Sequence, residues 1–204
     1  MKFLERFLLR RPRILNVLHR FRIVNATSQT NLVELAALAR YAANAKVAVE
    51  IGSHQGVSAA IIARSLACGG QLFCVDPWPG KKGGRNPVFE IFKRHIARTK
   101  TGRSVNIIRD FSSNVAARLP PRLDFAFIDG DHSWKGIETD WTIVSGRMND
   151  GGIVCLHDTA VPRQEPWRNF DACRFYEVII EPNPQFVLID TIYSMRILRK
   201  RKCR

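Results

Sequence analysis

Lys46 to Gly56 reads K-V-A-V-E-I-G-S-H-Q-G, and the rest of the chain is organised around this stretch. Val47, Ala48, Val49 and Ile51 form a short apolar run with strand character, ending in the glycine pair Gly52 and Gly56. Val57-Ser58-Ala59-Ala60-Ile61-Ile62-Ala63 then begins a helical pattern. A strand that turns through glycines into a helix is how open α/β sheets hold a nucleoside-type ligand at their strands' carboxyl ends. The glycines let backbone approach the ligand, with a helix N-terminus just behind. Glu50, at the strand end, disfavours an anion there and favours a cation. That combination points to S-adenosylmethionine, whose sulfonium and amino group are positive, rather than to a dinucleotide pyrophosphate.

Outward from this turn the chain reads as alternating strands and helices. A polar break at 25–30 precedes a helix capped by Asn31, or by Thr30 just before it, and running to about Ala45, with Leu32, Leu35, Leu38 and Ala39 on its buried face. After the strand at 46–51 and a helix to about Leu66, Gln71–Asp76 is a second strand, so a βαβ unit and a parallel sheet are expected. Val88–Lys100 reads as a helix and Ser104–Arg109 as a third strand. Ser112 or Ser113 caps a short helix stopped by Pro120-Pro121, and Leu123–Ile128 is a strand apolar enough for burial on both faces. Asp131 or Ser133 starts a helix reaching roughly Met148; Asn149-Asp150-Gly151-Gly152 reads as a turn into a fifth strand, Ile153–Leu156. A helix from Asn169 or Phe170 to about Ile180 and two closing strands, 186–192 and 193–198, complete the chain. Trp78–Pro87 and His157–Arg168 read as loops near the strands' carboxyl ends.

The 204 residues fit one domain, and the net charge of +14 sits at its ends. Residues 1–24 hold seven Lys/Arg against one Glu, and residues 196–204 hold six Lys/Arg and no acid, giving +6 each and leaving +2 for the 171 residues between. A groove that tracks nucleic acid spreads basic residues through the body, so a nucleic-acid partner is disfavoured. Residues 1–24 read as two amphipathic helices broken near Pro12, with Leu4, Phe7 and Leu8 on one face of the first and Ile14, Leu15, Leu18 and Phe21 on one face of the second. They suit first a helical cap on the domain or on a second copy of the chain, and second docking on an anionic membrane surface together with 196–204. The organisation is therefore a basic amphipathic segment, 1–24, followed by one domain, 25–204, with a basic tail. Five cysteines without C-x-x-C spacing, and no apolar run long enough to span a bilayer, suggest a reducing, cytoplasmic setting, with the basic ends allowing a peripheral place at the inner membrane face.

Three strand ends carry acids: Glu50, Asp76 and Asp129. An acid at the second strand's end of a nucleotide-binding βαβ unit accepts from ribose hydroxyls, which is the expectation for Asp76. Phe127-Ile128-Asp129-Gly130-Asp131-His132-Ser133 places two carboxylates and an imidazole at a buried strand's end, costly unless they bind something. His157-Asp158-Thr159 follows the next strand. Asp129, Asp158 and either His132 or His157 can converge, as a hard-metal site or as base machinery.

E-I-G-S-x-x-G at Glu50–Gly56, V-D-P-W at Val75–Trp78, F-I-D-G-D-H-S at Phe127–Ser133 and G-G-x-x-x-x-H-D at Gly151–Asp158 resemble the class I S-adenosylmethionine-dependent methyltransferases. Within them the chain is similar to the small bacterial branch related to catechol O-methyltransferase and to macrolide-sugar O-methyltransferases, over about residues 27–200. The resemblance implies a Rossmann-like, doubly wound α/β fold: a seven-stranded sheet, mostly parallel, with an antiparallel last strand. It implies donor binding by Glu50, Gly52, Ser53 and Gly56, ribose on Asp76, adenine near Asp110-Phe111-Ser112, and Asp129 at the reacting centre. It also implies Mg²⁺ on Asp129 and Asp158, although Thr159 stands where the catechol enzymes have Asn.

The expected reaction is in-line methyl transfer to a hydroxyl of a small molecule or sugar, the protein mainly positioning the acceptor oxygen. The hydroxyl must lose a proton, and an imidazole's ordinary pKa suits that: His132 is the first candidate base, His157 the second, and a metal on Asp129 and Asp158 the third route. Trp78, Trp134 and Trp167 are placed to stack on an acceptor ring. An NAD(P) oxidoreductase would want G-x-G-x-x-G, which Ser53-His54-Gln55 interrupts. An RNA or DNA methyltransferase has the basic pI in its favour but would want an N-P-P-[YF]-like turn after the fourth strand. A non-catalytic protein that binds a membrane or partner on the same fold is the remaining alternative.

Overall fold

The computed structural model describes residues 11–79, 86–160 and 171–202. The first N-terminal helix, most of the loop after Trp78, Trp167 and much of the loop after Asp158 fall outside them. Among the described residues the order is α1 (Pro12–Arg20), α2 (Leu32–Ala42), β1 (Val47–Ile51), α3 (Val57–Ser65), β2 (Gln71–Val75), α4 (Pro87–Arg98) and β3 (Val105–Ile108). Two 3₁₀ turns (Ser112–Asn114 and Ala116–Arg118), β4 (Leu123–Ile128), α5 (Trp134–Ser145), β5 (Met148–Leu156), α6 (Asp171–Phe175), a π-helical turn (Tyr176–Ile180), β6 (Phe186–Ile192) and β7 (Met195–Lys200) follow.

The seven strands form one sheet in the order β3-β2-β1-β4-β5-β7-β6. β1 pairs in parallel with β2 and β4, β2 with β3, and β4 with β5, while β7 runs antiparallel to both β5 and β6. From β1 the chain winds outward one way to β3 and then returns to place β4 on β1's other side. The β1/β4 boundary is therefore the topological switch point, where the carboxyl ends leave a crevice. The doubly wound α/β sheet with an antiparallel last strand is as expected, and β4 is buried on both faces.

Two apolar layers cover the sheet. One joins Val49, Ile51, Ala126 and Ile128 to Ile137, Trp141 and Val144 of α5 and to Phe175, Tyr176 and Ile180. The other joins Ala48, Phe125 and Phe127 to Leu35 and Leu38 of α2, Ile62 of α3 and Phe92 of α4. Asn31 begins α2 with a capping box: its side chain accepts from the amides of Val33 and Glu34, while Glu34 accepts from the Asn31 amide.

Some expected details differ. Ile14 on α1 and Phe21 at its C-cap point to solvent while Leu15 and His19 are buried, because Leu15 packs on Ile91 and His19 sits between Arg94 and Arg98 of α4. Leu32 is exposed; α2 buries Leu35 and Leu38 as expected, with Glu34 and Ala37 beside them. α5 ends at Ser145, and β5 begins at Met148 rather than Ile153. Met148 pairs with Leu123 before the register shifts, so Asn149-Asp150-Gly151-Gly152 is a bulge within the strand, with Gly151 at φ +80°. Trp78 is sealed between Phe89 and Phe92 with its indole N–H donated to the His54 carbonyl, so it is not free to stack on an acceptor; Trp134 packs edge-on against Phe175. No helix among the described residues is long and apolar enough to cross a membrane.

Candidate active site

At the switch point the β1 turn is pressed against the end of β4. The Asp129 amide donates to the Ile51 carbonyl and the Gly52 amide to the Val75 carbonyl, both at 2.9 Å, tying the ends of β1, β2 and β4 together. A Cβ on Gly52 would lie 2.0 Å from the Asp129 carbonyl oxygen, and its φ is +92°, so only glycine fits. Gly56, at φ +84°, is the N-cap of α3, and a Cβ there would lie 2.8 Å from the Phe92 ring, so glycine lets α3 start close against α4.

Above this turn lies a cavity of about 560 Å³. It is lined by Gly52, Ser53, His54 and Gly56 from the turn, Asp76 and Pro77 after β2, Phe111 and Ser112 after β3, and Asp129 to His132 after β4. Thr27, Ser28 and Gln29, which the sequence presents only as a polar break, form another wall. Among the described lining residues there are four aspartates and no lysine or arginine, a lining that suits a cation and repels a polyanion.

Glu50 is fully buried beside Ser53, Ser58 and Cys74, and neither carboxylate oxygen has a hydrogen bond of proper geometry. Burial pushes its pKa from 4.5 up to about 7, with Asp129's charge adding to the rise and Ser53 and Ser58 drawing it back. A carboxyl buried next to the cavity-lining Ile51, Ser53 and Ser58 disfavours an anion there and favours a cation, although the structure gives Glu50 no exposed surface of its own. Asp76 does reach the cavity; its oxygens accept from the His54 amide at 2.9 Å and the Trp78 amide at 2.7 Å, clamping the glycine turn to the end of β2. Asp110 does not line it. Its carboxylate is spent on the Phe111 amide, Asn114 Nδ2 and an ion pair with Arg118 at 3.3 Å, so only Phe111 and Ser112 of that triplet face the cavity.

Asp140 was not singled out from the sequence. It lies on α5, only 1% exposed, with Oδ1 unpartnered and the residue lining the cavity; burial lifts its pKa from 3.8 to about 6. The signal was available: Asp140 falls on the face of Ile137, Trp141 and Val144, where an acid has no business unless it serves something.

Asp129, His132, His157 and Asp158 do converge. His132 Nε2 lies 3.7 Å from Asp129 Oδ1 and 3.6 Å from Asp158 Oδ2. His157 Nδ1 lies 3.0 Å from Asp129 Oδ1 and 3.5 Å from Asp158 Oδ1, and its Nε2 3.3 Å from Oε2 of Glu34. His132 faces the cavity, whereas His157 is 5% exposed and lies behind Asp129. Burial alone would lower the His157 pKa, but Asp129, Asp158 and Glu34 overcome it and push it up to about 12. Glu34 is the second residue that sequence reasoning missed. Beyond its capping role it accepts from the amide and hydroxyl of Ser194, at 3.0 and 2.8 Å, so it joins α2 to the β6–β7 turn and to His157. Its pKa is lowered: burial would raise it, and His157 and Ser194 win.

A family profile described as a methyltransferase domain matches residues 49–159. No curated protein sequence matches. An O-methyltransferase from Bacillus cereus, solved in complex with SAH, is 17% identical at a TM-score of 0.66, covering 95% of this chain and 90% of that one. The O-methyltransferase TomG from Streptomyces achromogenes, involved in tomaymycin synthesis and solved with SAM, is 17% identical at a TM-score of 0.65, covering 94% and 90%. An rRNA methylase from Streptococcus thermophilus is 12% identical at a TM-score of 0.59, covering 86% of this chain and all of that one. At such identities the likeness is one of fold.

Proposed function

This chain belongs to the methyltransferase-domain family, and from that premise we propose that it transfers the methyl group of S-adenosylmethionine to a hydroxyl of a small molecule or sugar. The observation that carries the donor is the buried, unpartnered carboxyl of Glu50 beneath a glycine-floored cavity walled by aspartates. That arrangement rewards a positively charged nucleoside and penalises a pyrophosphate or nucleic-acid strand. Asp76, at the end of β2, is placed for the ribose hydroxyls, and Phe111 and Ser112 for the adenine. Gly52, Ser53 and Gly56 shape the floor on which the methionine part lies.

The acceptor oxygen must approach the methyl carbon opposite the sulfur, from the side of the cavity formed by Asp129 and His132. The C–O bond forms as the S–C bond breaks, leaving S-adenosylhomocysteine and a methyl ether. The hydroxyl proton goes to His132 Nε2, and the carboxylates of Asp129 and Asp158 stabilise the imidazolium that results. His157, buried and already held by three carboxylates, positions Asp129 instead of taking that proton.

The resemblance also implied Mg²⁺ on Asp129 and Asp158. A hard cation of that kind wants oxygen ligands in octahedral array. Here two imidazoles occupy the same space, and Thr159 turns its hydroxyl to the Leu156 carbonyl, away from the cluster. The donor set does not suit Mg²⁺, and no step above runs through it.

Calorimetric titration of wild type and Gly52→Val with S-adenosylmethionine and S-adenosylhomocysteine tests the reading. Micromolar binding by wild type that the variant loses is the expected result. Folded wild-type protein that binds neither nucleoside would overturn the donor assignment and favour a non-catalytic role.

A further inference from the structure

We infer that Asp129, His132 and His157 form a site for a single divalent transition metal of the nitrogen-preferring class, exemplified by Zn²⁺ and Co²⁺, and not for Mg²⁺. One ligand atom from each of the three, an imidazole nitrogen or a carboxylate oxygen, falls within 4.8 Å of the other two. Two imidazoles and a carboxylate are the donors that imidazole-binding metals select, while oxygen-only sets select Mg²⁺ and Ca²⁺. A cation about 2.0–2.1 Å from each donor would space neighbouring donors by about 3.0–3.4 Å. His157 Nδ1 to Asp129 Oδ1 is 3.0 Å and His132 Nε2 to Asp129 Oδ1 is 3.7 Å, and the two imidazole nitrogens lie within 4.8 Å of each other, so side-chain rotation that draws the imidazoles together about Asp129 completes the site.

His157 is the independent reason to expect an ion. It is 5% exposed and its Nδ1 lies 3.0 Å from Asp129 Oδ1 without the alignment of a hydrogen bond, so a cation bound there takes the place of the proton on that nitrogen. Its other nitrogen, Nε2, faces the buried Glu34 carboxylate at 3.3 Å, and Glu34 is itself fixed by Ser194 and the Asn31 amide. A ligating imidazole that gives its far N–H to a fixed carboxylate is the usual outer-sphere arrangement of a metal-bound histidine. Three protein ligands leave a position open toward the cavity, on the side where His132 faces it. Asp158, with an oxygen 3.5–3.6 Å from each histidine, flanks the site. An occupied site takes His132 Nε2 as a ligand, so the base role assigned above belongs to the metal-free protein.

The inference stands on the cluster and is tested without reference to methyl transfer. The full chain is stripped with a chelator, shown to be folded and to bind S-adenosylhomocysteine, and titrated with Co²⁺ while its ligand-field absorption is followed. A single equivalent of Co²⁺ is expected, displaced by Zn²⁺ and undisturbed by a large excess of Mg²⁺. His132→Gln, a change at a partly exposed position, and Asp129→Asn should each weaken binding at least tenfold, and Glu34→Gln by about 10–100-fold through loss of the fixed imidazole. Cys68→Ser and His95→Gln, outside the cluster, should leave the titration unchanged. Absence of a ligand-field band in folded, nucleoside-binding protein would overturn the inference. So would binding that survives both His132→Gln and Asp129→Asn, or displacement by Mg²⁺ at equal concentration.

Discussion

Replacing Glu50 by Gln should make the unliganded protein less dependent on pH and weaken its grip on the donor. In the folded chain burial holds the Glu50 pKa at about 7 against an ordinary 4.5. Below pH 4.5 the carboxyl is protonated in both folded and unfolded chains and contributes no difference. Between 4.5 and 7 the unfolded chain ionises while the folded one keeps its proton, so stability falls as pH rises; above 7 the loss levels off. At about 1.4 kcal/mol per pH unit, the loss reaches about 3 kcal/mol. Glutamine also buries a polar group imperfectly, but that cost does not vary with pH. The difference between the two proteins therefore isolates the charge. Thermal unfolding from pH 4 to pH 8.5 should show Glu50→Gln gaining on wild type by roughly 6–12 °C across that interval, at 2–4 °C per kcal/mol for a chain of this size. The donor's positive charge favours the ionised carboxylate, so wild-type affinity should fall by up to about tenfold per pH unit below 7, and the Gln variant should show no such slope. A gap in melting temperature that is constant across the range would refute the reasoning, because Glu50 would then not change protonation in the folded state.

Gly52→Ala must find room for a Cβ placed 2.0 Å from the Asp129 carbonyl oxygen at φ +92°; a loss of about 2–4 kcal/mol in chemical denaturation is expected, with donor binding lost. Asp76→Ala removes both the ribose acceptor and the clamp on the His54 and Trp78 amides, and should weaken S-adenosylhomocysteine binding by about 10–100-fold in calorimetry. Glu34→Ala strands His157 and the Ser194 amide in a buried site, costing about 3–5 kcal/mol by urea unfolding. Asp129→Ala should fold, bind donor and fail to methylate; turnover at the wild-type rate would remove Asp129 from the reacting centre.

The fold was legible because its signals are local. The apolar run before Gly52, the helical pattern after it and the all-apolar β4 each announce themselves within a dozen residues. So did the acids at the ends of β1, β2 and β4, two of which reach the cavity. What stayed hidden depends on partners far along the chain. Ile14 and Phe21 fit an apolar face as well as Leu15 does, and only Arg94 and Arg98, some 75–79 residues on, decide that His19 turns inward. Glu34 at the third position of a helix reads as a capping residue, which it is, yet the same carboxylate holds Ser194 from 160 positions away. Asp110 differs the other way: the resemblance implies adenine near it, but neighbouring donors at Phe111 and Asn114 take up its carboxylate. The bulge at 149–152 reads as a turn because glycines mark both.

The direction of β7 has a consequence of its own. Arg196 lies opposite Leu156, at the end of β5 where the crevice opens, and Arg199 opposite Ile153. The strand therefore begins at the mouth of the enzyme and carries the chain about 17 Å away from it. The basic tail emerges at the far end of the sheet, like a handle fixed to the back of a vessel. Residues 199–202 and the crevice therefore lie at opposite ends of the strand, so substitutions at these basic positions leave the lining of the cavity untouched.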